Sequence, residues 1–444
     1  MKKMLVIGSW LSVAAAGVFA VPSVSEVTVS QDAATRLVTV EYKISGGPAV
    51  VTAEFTTNNV ALPDECVHRL AGDINVIVTN RTEKYSFTWN PDSDLQAEFG
   101  TTDQFNVRLT PWDANDPPPY LVVDLCTKGT WFFYASSNAV PDGVQHVRYK
   151  TDMVVMKKIP ACNQTFRMGS FPGEKGSRDS NFGETDAEVP HPVTFTNDYY
   201  LGIYEVTQMQ FRRLFGYASG QFSFLPDSRI HPVETVIYDT IRGPTSENID
   251  WPSSGTNVTA SSAIGCLRST TGIASFDLPT EAEWEFACRA GTTTSLNSGK
   301  NLDYSNMWDN SSAEACPALS EVGWWLGNSL MVTNEALGAT GRCTHPVGMK
   351  PCNAFGLYDM HGNVWEWCLD WYANGDYYSR GSYEISPVGP TTYETYAKRV
   401  VRGGSWSQYS PACRSAQRGR YNPSMYNSAN QLGFRLKCLP FFGE

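Results

Sequence analysis

Residues 356–372 read GLYDMHGNVWEWCLDWY, a stretch that combines carboxylates with several large aromatic side chains. Asp359 and Glu366 are seven positions apart, and Gly362 lies between them. A glycine allows the backbone to turn tightly, so that carbonyl oxygens can point inward. Because hard divalent cations prefer oxygen ligands, the spacing favours a loop that binds a cation.

Length and the first residues indicate an exported chain of two domains. The 444 residues exceed one ordinary hydrophobic core. Lys2 and Lys3 precede an apolar stretch over 4–16, and Val18 and Ala20 stand at the small-residue positions of a cleavage site. Residues 1–20 are therefore interpreted as a signal peptide, which predicts a periplasmic, cell-surface or secreted protein. No later segment sustains the roughly 20 apolar residues of a membrane span, so none is expected.

Charge and cysteine content restrict the partners. The formal charge of −11 argues against a nucleic-acid partner, because phosphate binding needs a basic face. The sequence has eleven cysteines and no CxxC pair, which disfavours zinc fingers and thioredoxin-type dithiols. In an exported chain most of these thiols are expected to pair, and the odd number leaves at least one over. The oligomeric state does not follow from the sequence.

Residues 21–135 show the period-two pattern of β-strands. About seven short apolar-polar segments alternate with turns rich in Gly, Pro and Asn, which predicts an all-β, immunoglobulin-like sandwich. Cys66 and Cys126 are candidates for a disulfide within it. His68 is its only histidine, and a lone histidine is more often a packing or surface residue than a ligand.

A linker over 136–150 and a second domain over 151–444 are predicted next. The second domain has few periodic segments, so an α+β fold with much irregular structure is expected. One helix is expected to start at Thr280, with Glu283 completing a capping box and Gly291 ending it. Trp284, with Ala287 and Cys288, should form its buried face. A second helix is expected over 207–215.

Five segments of the second domain carry a family resemblance. They are MVVMKKIPACNQTFRMGS (153–170), YYLGIYEVTQMQF (199–211), LPTEAEWEFACRAG (278–291), NAFGLYDMHGNVWEWCLDW (353–371) and RVVRGGSW with CRSAQR and LGFR (399–435). In this order they resemble the sulfatase-modifying factor family, which includes the formylglycine-generating enzymes. The resemblance implies a variant of the C-type lectin fold. Because that fold serves several tasks, function has to be argued from the site.

The resemblance also implies where an oxidase centre would lie. Formylglycine-generating enzymes oxidise a cysteine of a client sulfatase with a copper ion held by two thiolates after the Gly-Gly-Ser motif. In the segment 403–414 this chain has a single cysteine, Cys413, and Gln408 stands at the first thiolate position when counted from Ser405. Since one thiolate and an amide oxygen suit Cu(I) poorly, the two-cysteine copper centre is expected to be missing.

Cys413 and Ser405 are nevertheless the candidate catalytic residues if the domain is an enzyme. The favoured alternative for Cys413 is a disulfide, with Cys368 as the suggested partner. The resemblance further implies a bond between Cys288 and Cys438.

For the loop at 356–372 the resemblance implies a structural calcium ion. Asp359 and Glu366 would supply carboxylate oxygens, and Gly362 and Val364 would supply carbonyl oxygens. The alternative is that Glu366 pairs with an arginine and Asp359 caps a turn. Asn306 corresponds to a possible second calcium site in the family.

Six arginines and no acid lie between Lys398 and Lys437, at 399, 402, 414, 418, 420 and 435. One interpretation is a groove that holds carboxylates, sulfates or peptide carbonyls. The favoured interpretation is structural pairing of Arg402, Arg418 and Arg435, with Arg414 and Arg420 as exposed exceptions. The expected pocket comprises Trp365, Trp406 and Arg414, with Ser405 in its lining.

Two functions remain open on the sequence alone. One is an oxidase-like enzyme that acts on a peptide or a small exported substrate, including an oxidase that never used a thiolate pair. The other is a non-catalytic, lectin-like module that binds a peptide or glycan at the cell envelope. Sulfoxide synthases are disfavoured because the required histidine cluster is absent from the sequence.

Overall fold

The computed structural model describes residues 21–58, 60–64, 67, 69–94, 105–172, 174, 188–216, 229–244, 247, 249–306, 308–334, 339–373, 383–392, 397–424 and 429–440. The expected signal peptide, Cys66 and His68 lie outside these residues. No helix in the described ranges is long and apolar enough to cross a membrane.

The N-terminal region is a β-sandwich. Its elements are β1 (Ser23–Gln31), β2 (Val38–Ser45), β3 (Ala49–Thr57), β4 (Val60–Ala61), β5 (Leu70–Gly72), β6 (Ile77–Val78), β7 (Tyr85–Trp89), α1 (Pro91–Asp94) and β8 (Phe105–Asp113). One sheet has the order β1-β2-β7-β5; in the other, β3 pairs with β4, β6 and β8. Alternate residues of β2 are buried, as period two predicts. The two sheets share one apolar core that includes Val40, Phe55 and Phe87.

The second region contains the remaining elements. Its strands are β9 (Tyr120–Asp124), β10 (Trp131–Tyr134), β11 (Met153–Ile159), β12 (Thr165–Met168), β13 (His191–Thr194), β14 (Tyr199–Gly202), β15 (Leu330–Asn334), β16 (Ala339–Arg342), β17 (Trp365–Trp371), β18 (Glu384–Ile385), β19 (Arg399–Arg402), β20 (Arg418–Tyr421), β21 (Leu432–Gly433) and β22 (Lys437–Cys438). Its helices are α2 (Gln208–Phe215), α3 (Tyr238–Arg242), α4 (Ala263–Thr271), α5 (Glu281–Arg289) and α6 (Pro317–Val322). Short 3-10 turns occupy Val147–Lys150, Ala313–Ala315, Ser410–Cys413 and Ala429–Gln431.

The strands of this region form four small sheets. Their orders are β10-β9-β11-β14-β22, β12-β13-β18, β15-β16 and β20-β19-β17-β21. Short strands joined by long irregular connections agree with the expected α+β domain. The multidomain fold class predicted from the sequence is therefore confirmed.

The last strand assigned to the sandwich from sequence belongs elsewhere. Strand β9 pairs with β11 in antiparallel register, Val123 opposite Val154, and β10 pairs with β9. An alternating pattern marks a strand but does not name its partner, which explains the wrong assignment. The predicted linker also packs tightly, because Val140 and Tyr149 lie in the core of the second domain.

Helix α5 confirms the expected capping box. The Thr280 hydroxyl accepts from the Glu283 backbone N–H, and the Glu283 carboxylate accepts from the Thr280 N–H. The helix ends at Arg289, just before Gly291. Trp284 is fully buried as expected, but Glu281 and Glu285 are buried too. The helix therefore lies in the interior on all sides, which an amphipathic pattern does not predict.

Candidate functional site

The loop before β17 crosses a second backbone at very close range. A Cβ at Gly362 would lie 1.9 Å from the Trp324 carbonyl oxygen, and one at Gly323 would lie 2.2 Å from the His361 carbonyl oxygen. Gly362 also has a φ of 81°, which favours glycine. The Asn363 N–H donates to the Trp324 carbonyl at 2.8 Å, so the loop is fixed against the segment that follows α6.

Glu366, one of the expected calcium ligands, is engaged by protein donors. Arg435 donates from Nη2 to Glu366 Oε1 at 2.8 Å and from Nε to Oε2 at 3.0 Å. The Trp284 indole donates to Oε2 at 2.7 Å. The alternative drawn from sequence, in which Glu366 pairs with an arginine, is the arrangement found.

Asp359 lies beside a third acid that the sequence analysis did not single out, Glu205. Asp359 Oδ2 accepts from the Gly348 N–H at 2.6 Å, whereas its Oδ1 is buried without a hydrogen-bond partner. Glu205 accepts from the Val364 N–H at 3.1 Å and from the Asn363 amide at 2.7 Å. Burial raises the pKa of Asp359 to about 6, and burial beside two carboxylates raises the pKa of Glu205 well above its usual value.

Protein donors already engage one of the two carboxylates expected to hold calcium, Glu366. Both oxygens of Glu366 are occupied, and the Arg435 guanidinium repels a cation placed beside them. Only Asp359 offers an unpartnered carboxylate oxygen. Within the described ranges no group of three or more His, Cys, Asp or Glu side chains could hold a metal ion. Calcium at this loop stays a prediction from the resemblance, as does the second site, where Asn306 accepts from the Trp308 N–H at 3.1 Å.

Five of the six C-terminal arginines are buried, at 399, 402, 414, 418 and 435. The expected pairing holds for Arg402, Arg418 and Arg435, which bind Glu281, Glu285 and Glu366. The prediction that Arg414 is exposed was wrong. Arg414 is fully buried and donates to Glu188 at 2.8 Å and to Glu174 at 3.1 Å. Those acids are more than 200 positions away in the chain, so local sequence could not reveal the pairing.

A cavity of about 280 Å³ opens beside this segment. Its described lining consists of Trp308, Trp365, Tyr372, Gln408, Tyr409, Pro411, Ala412, Gln417, Arg418, Gly419, Arg420 and Tyr421. Strand β20, the turn over 410–413 and the residue after β17 supply most of it. The cavity is therefore built by the same motifs that carry the family resemblance.

The expected pocket residues divide between this cavity and the interior. Trp365 lines the cavity, is 4% exposed, and its indole N–H is buried without a hydrogen-bond partner. Trp406 is half-buried outside the lining, where its indole donates to the Asn430 carbonyl at 3.1 Å. Arg414 lies in the ion-pair network. Arg420 is partly exposed and lines the cavity, with its guanidinium 4.7 Å from the centre of the Tyr372 ring.

Ser405 is part of a buried hydrogen-bond network. Its hydroxyl donates to Gln431 Oε1 at 2.8 Å, and Ser407 and Gln408 donate to the same oxygen. Gln431 in turn donates to the Tyr421 hydroxyl at 3.1 Å. In the described part of the chain the Ser405 hydroxyl contacts Ser407 and Gln431, and none of these contacts involves a histidine. This geometry holds the Gly-Gly-Ser turn in place and does not activate a nucleophile.

Comparison with known proteins identifies the domain. Residues 160–438 match the family described as "Sulfatase-modifying factor enzyme 1-like domain". The chain belongs to this family. The match covers more than half of the sequence and includes every segment that builds the cavity.

Individual relatives of this family member are similar over shorter spans. The chain is 30% identical over 276 residues to the serine/threonine-protein kinase pkn1 of Chlamydia caviae, covering 59% of this chain and 36% of that protein. It is 34% identical over 168 residues to the formylglycine-generating enzyme of Bos taurus, covering 36% and 37% of the two chains. The enzyme of Thermomonospora curvata is 36% identical over 170 residues, covering 37% and 49%. The chain thus spans half or less of each of these relatives.

Two solved structures match this chain at low sequence identity. Treponema denticola variable protein 1 has a TM-score of 0.42 and 24% identity, covering 65% of this chain and 96% of its own. PvdO from Pseudomonas aeruginosa has a TM-score of 0.44 and 22% identity, covering 64% and 94%.

The two-thiolate copper centre of the oxidase relatives does not fit this member of the family. Cys413 is fully buried, and its thiol lies 4.0 Å from the Ser405 carbonyl. Burial raises the pKa of Cys413 to about 12, so the thiolate that a copper ion requires is disfavoured. Gln408, which stands at the first thiolate position when counted from Ser405, lines the cavity. No residue of the described lining is a cysteine.

The backbone around Cys413 is fixed from a second direction. His361 donates from Nδ1 to the Cys413 carbonyl at 2.8 Å, while its Nε2 accepts from the Asn297 N–H at 3.0 Å. Burial lowers the pKa of His361 to about 4, so this imidazole is neutral and has a structural role. The Cys413 side chain itself packs in an apolar cluster with Leu296 and Trp325, and Cys413 is not part of the described lining of the cavity.

Two of the expected disulfides, Cys288–Cys438 and Cys368–Cys413, are not formed, and the Cys66–Cys126 pairing involves a residue outside the described part of the chain. Cys126, Cys288, Cys368, Cys413 and Cys438 are all free thiols. Cys438 lies 3.8 Å from the Met156 sulfur and Cys288 lies 3.6 Å from the Ser415 hydroxyl, so the expected pair is separated by other side chains. A disulfide needs the Cβ atoms of its two cysteines to face each other. Cys438 is displaced along β22 relative to the family pattern, so its position in the sequence did not ensure a bond with Cys288.

Several cavity residues were missed by sequence reasoning. Trp308, Tyr409 and Tyr421 come from separate loops and strands, and only folding brings their rings together. Trp308 and Tyr409 make an edge-to-face contact at 5.3 Å between ring centres. The feature that distinguishes Trp308 is its half-exposed side chain. Exposure cannot be read from the sequence, so no sequence pattern indicated this residue.

Proposed function

We propose that this member of the sulfatase-modifying factor family is a non-catalytic binding module whose ligand enters the cavity lined by Trp308, Trp365 and Arg420. The observation that supports this proposal most directly is that the thiol of Cys413 is not part of the described lining of the cavity. Cys413, the one cysteine of the segment 403–414, is buried and has a raised pKa, whereas the described lining of the cavity presents aromatic, amide and guanidinium groups. These groups bind ligands but supply neither a thiolate nor a general base.

The N-terminal sandwich fits this role as a rigid spacer. Its β3 residue Val50 lies in the core of the second domain, and the Phe133 N–H of β10 donates to the Asn75 carbonyl at 2.7 Å. Such packing would present the cavity at a fixed position. The proposed setting is outside the cytoplasm, on the strength of the signal-like composition of residues 1–20.

Calorimetric titration of the full chain tests the binding role. The probes are a series of methyl glycosides and a synthetic peptide that carries a sulfatase-type cysteine. We expect one probe class to bind, and Trp308→Ala to weaken that binding about tenfold through loss of an aromatic contact face. The control is Tyr383→Ala, which removes an aromatic ring that is 56% exposed and outside the cavity lining.

A reaction assay tests the non-catalytic part. The same cysteine peptide is incubated with the protein, copper and oxygen, beside an active formylglycine-generating enzyme as positive control. We expect no mass change at the peptide cysteine in the sample with this protein. Copper-dependent conversion that Cys413→Ser abolishes would overturn the proposal.

A further inference from the structure

We infer that Cys316 and Cys413 are joined by a disulfide when the chain folds in the presence of an oxidant. Both are free thiols in this structure, which corresponds to the reduced state of the pair. The inference is independent of the proposed binding function. It concerns the covalent state of the turn over 410–413, in which Pro411 and Ala412 line the cavity.

The two side chains lie in one small apolar cluster. Cys316 and Cys413 are both fully buried. The other buried members of the cluster are Leu296, Leu302, Tyr304, Ala318, Leu319, Val322 and Trp325. Folding therefore brings together two thiols from segments that are far apart in the chain.

The choice of Cys316 follows from the positions of the other buried cysteines. Cys438 lies in a core cluster with residues of the strand β11, and Cys288 and Cys368 lie in the large cluster around α5. Among the buried cysteines of the described ranges, only Cys316 shares the cluster of Cys413. The structure thus favours a partner that neither local sequence nor the family resemblance indicated.

The segments that carry the two cysteines are hydrogen-bonded to each other close by. The Leu326 N–H donates to the Gln408 carbonyl at 3.0 Å, and the Ser329 hydroxyl donates to the Trp406 carbonyl at 2.8 Å. The chain that follows α6 is therefore attached to the chain just before the turn over 410–413. Because the N-cap residue of α6 is one cysteine and the last residue of the turn is the other, these bonds restrict how far the two can separate.

The electrostatics agree with two neighbouring thiols. Burial raises the pKa of Cys413 to about 12; the Ser405 backbone opposes this rise, and the Cys316 thiol adds to it. Burial also raises the pKa of Cys316. A nearby group of like charge disfavours ionisation in this way. Since exchange requires a thiolate with access to the oxidant, we expect the bond to form during folding, before the cluster closes.

In the reduced state each thiol has a weak partner of its own. The Cys316 sulfur lies 3.4 Å from Asp303 Oδ1, and the Cys413 sulfur lies 4.0 Å from the Ser405 carbonyl oxygen. Thiols are weak donors, so a side-chain rotation that leaves these contacts loses little. The bonded state needs such a rotation, because disulfide sulfurs are about 2.0 Å apart.

A low-molecular-weight disulfide such as oxidised glutathione is the oxidant in this reaction. One protein thiolate attacks it and forms a mixed disulfide with release of one glutathione. The second protein thiolate then attacks the protein sulfur of that mixed disulfide and displaces the other glutathione. The two protein thiols are oxidised, the glutathione disulfide is reduced to two thiols, and the two protons pass to glutathione.

The bond would stabilise the second domain and hold one side of the cavity. It closes a loop of about 100 residues, and long loops gain most from a cross-link in the chain-entropy model. The turn that carries Pro411 and Ala412 would be tied to the N-terminus of α6. The competing possibility is that both residues remain thiols and only fill the cluster.

The experiment maps the cysteines of the full chain after oxidation. Reduced, unfolded protein is refolded with oxidised and reduced glutathione, alkylated with N-ethylmaleimide and digested without reductant for mass spectrometry. A second sample, purified in the folded and reduced state, is treated with oxidised glutathione in urea below its unfolding midpoint, so that the result does not depend on refolding. We expect a cross-linked pair of peptides that contains Cys316 and Cys413 and separates on reduction.

Variants assign the effect on stability to this pair. The oxidised parent should melt about 5–10 °C above the same protein treated with dithiothreitol. Cys316→Ala should lose most of this difference and leave Cys413 open to alkylation after unfolding. Cys368→Ala is the matched control, because Cys368 is equally buried but lies in a different cluster, and it should keep the difference.

Three results would overturn the inference. The first is alkylation of both Cys316 and Cys413 in the oxidised samples after unfolding. A cross-link from Cys413 to any other cysteine is the second. The third is a dithiothreitol-dependent shift in melting temperature that is equal in the parent and in Cys316→Ala. None of these results bears on ligand binding, so the proposed function is tested separately.

Discussion

The interior of the N-terminal sandwich is almost wholly apolar, whereas the interior of the second domain holds paired charges. In the described part of the sandwich, the core consists of residues such as Val40, Phe55 and Phe87, with the carboxylate of Asp94, 3% exposed, as an exception that accepts from the Trp89 indole at 2.9 Å. In the second domain, arginines such as Arg242 and Arg435 are fully buried against carboxylates. Two domains of one chain thus use different interactions to fill their centres.

The difference affects how each domain tolerates change. An apolar core loses stability roughly in proportion to the side-chain volume removed. A buried ion pair behaves differently, because removal of one partner leaves an uncompensated charge in a medium of low dielectric constant. The irregular second domain therefore depends on a few specific partners, and the sandwich depends on summed burial.

The largest effect is expected from Arg435→Met. This change leaves Glu366 without its ion pair, next to Glu205 and Asp359, and should lower the free energy of unfolding by about 3–5 kcal/mol. Urea titration followed by tryptophan fluorescence measures it. Arg213→Met is the matched control, because Arg213 also makes two bonds to an acid, Asp152, but is 45% exposed. Its loss should cost less than about 1 kcal/mol. If both variants lost the same free energy of unfolding, buried and exposed ion pairs would contribute equally to stability, contrary to this prediction.

A smaller effect is expected from Val40→Ala in the sandwich. Val40 is fully buried between the sheets, so removal of its methyl groups should cost about 2 kcal/mol through lost burial and a small cavity. The same urea titration applies, with Val29→Ala as control, since Val29 lies on the exposed strand β1 and is 42% exposed. A loss as large as that of Arg435→Met would contradict the comparison.

The effect expected from Asp370→Asn depends on pH and is small only near pH 4. Burial, followed by the nearby Glu281 carboxylate, raises the pKa of Asp370 to about 8, with Glu283 adding to the shift and Arg418 opposing it. A carboxyl with a raised pKa contributes most stability below its usual pKa and loses it as pH rises towards 8. The variant keeps an oxygen that can accept from the Glu281 N–H. It should equal the parent near pH 4 and become progressively more stable than the parent as the pH rises towards 8.

Urea titrations across that pH range give the difference between Asp370→Asn and the parent chain. A difference that stays constant from pH 4 to pH 8 would mean that Asp370 does not titrate in this window. A variant less stable than the parent at pH 8 would show that the ionised carboxylate is the favoured form.

Local signals predicted local structure well. The Thr280 and Glu283 capping box forms because both partners lie within one turn of helix. The alternation of β2 predicted its buried face. The family segments predicted the domain that the comparison later assigned to residues 160–438.

Predictions that required a partner were less successful. Arg414 was expected to be exposed, yet Glu174 and Glu188 pair with it, and nothing near Arg414 in the sequence indicates those acids. The cysteine pairs failed for the same reason, because a disulfide depends on two Cβ atoms facing each other in space. The cavity was only partly anticipated: Trp365 was expected in it, but Trp308 was not.

The sequence by itself determined the two-domain class, the main strands and helix caps, and the presence of a single cysteine in the Gly-Gly-Ser segment, 403–414. These properties depend on residue type and short spacing. Only the tertiary structure decided which charges are paired, that Cys413 is fully buried, and that Arg420 lines a cavity with Trp308. Each of those depends on contacts between residues far apart in the chain, and their energies arise from burial, which exists only after folding.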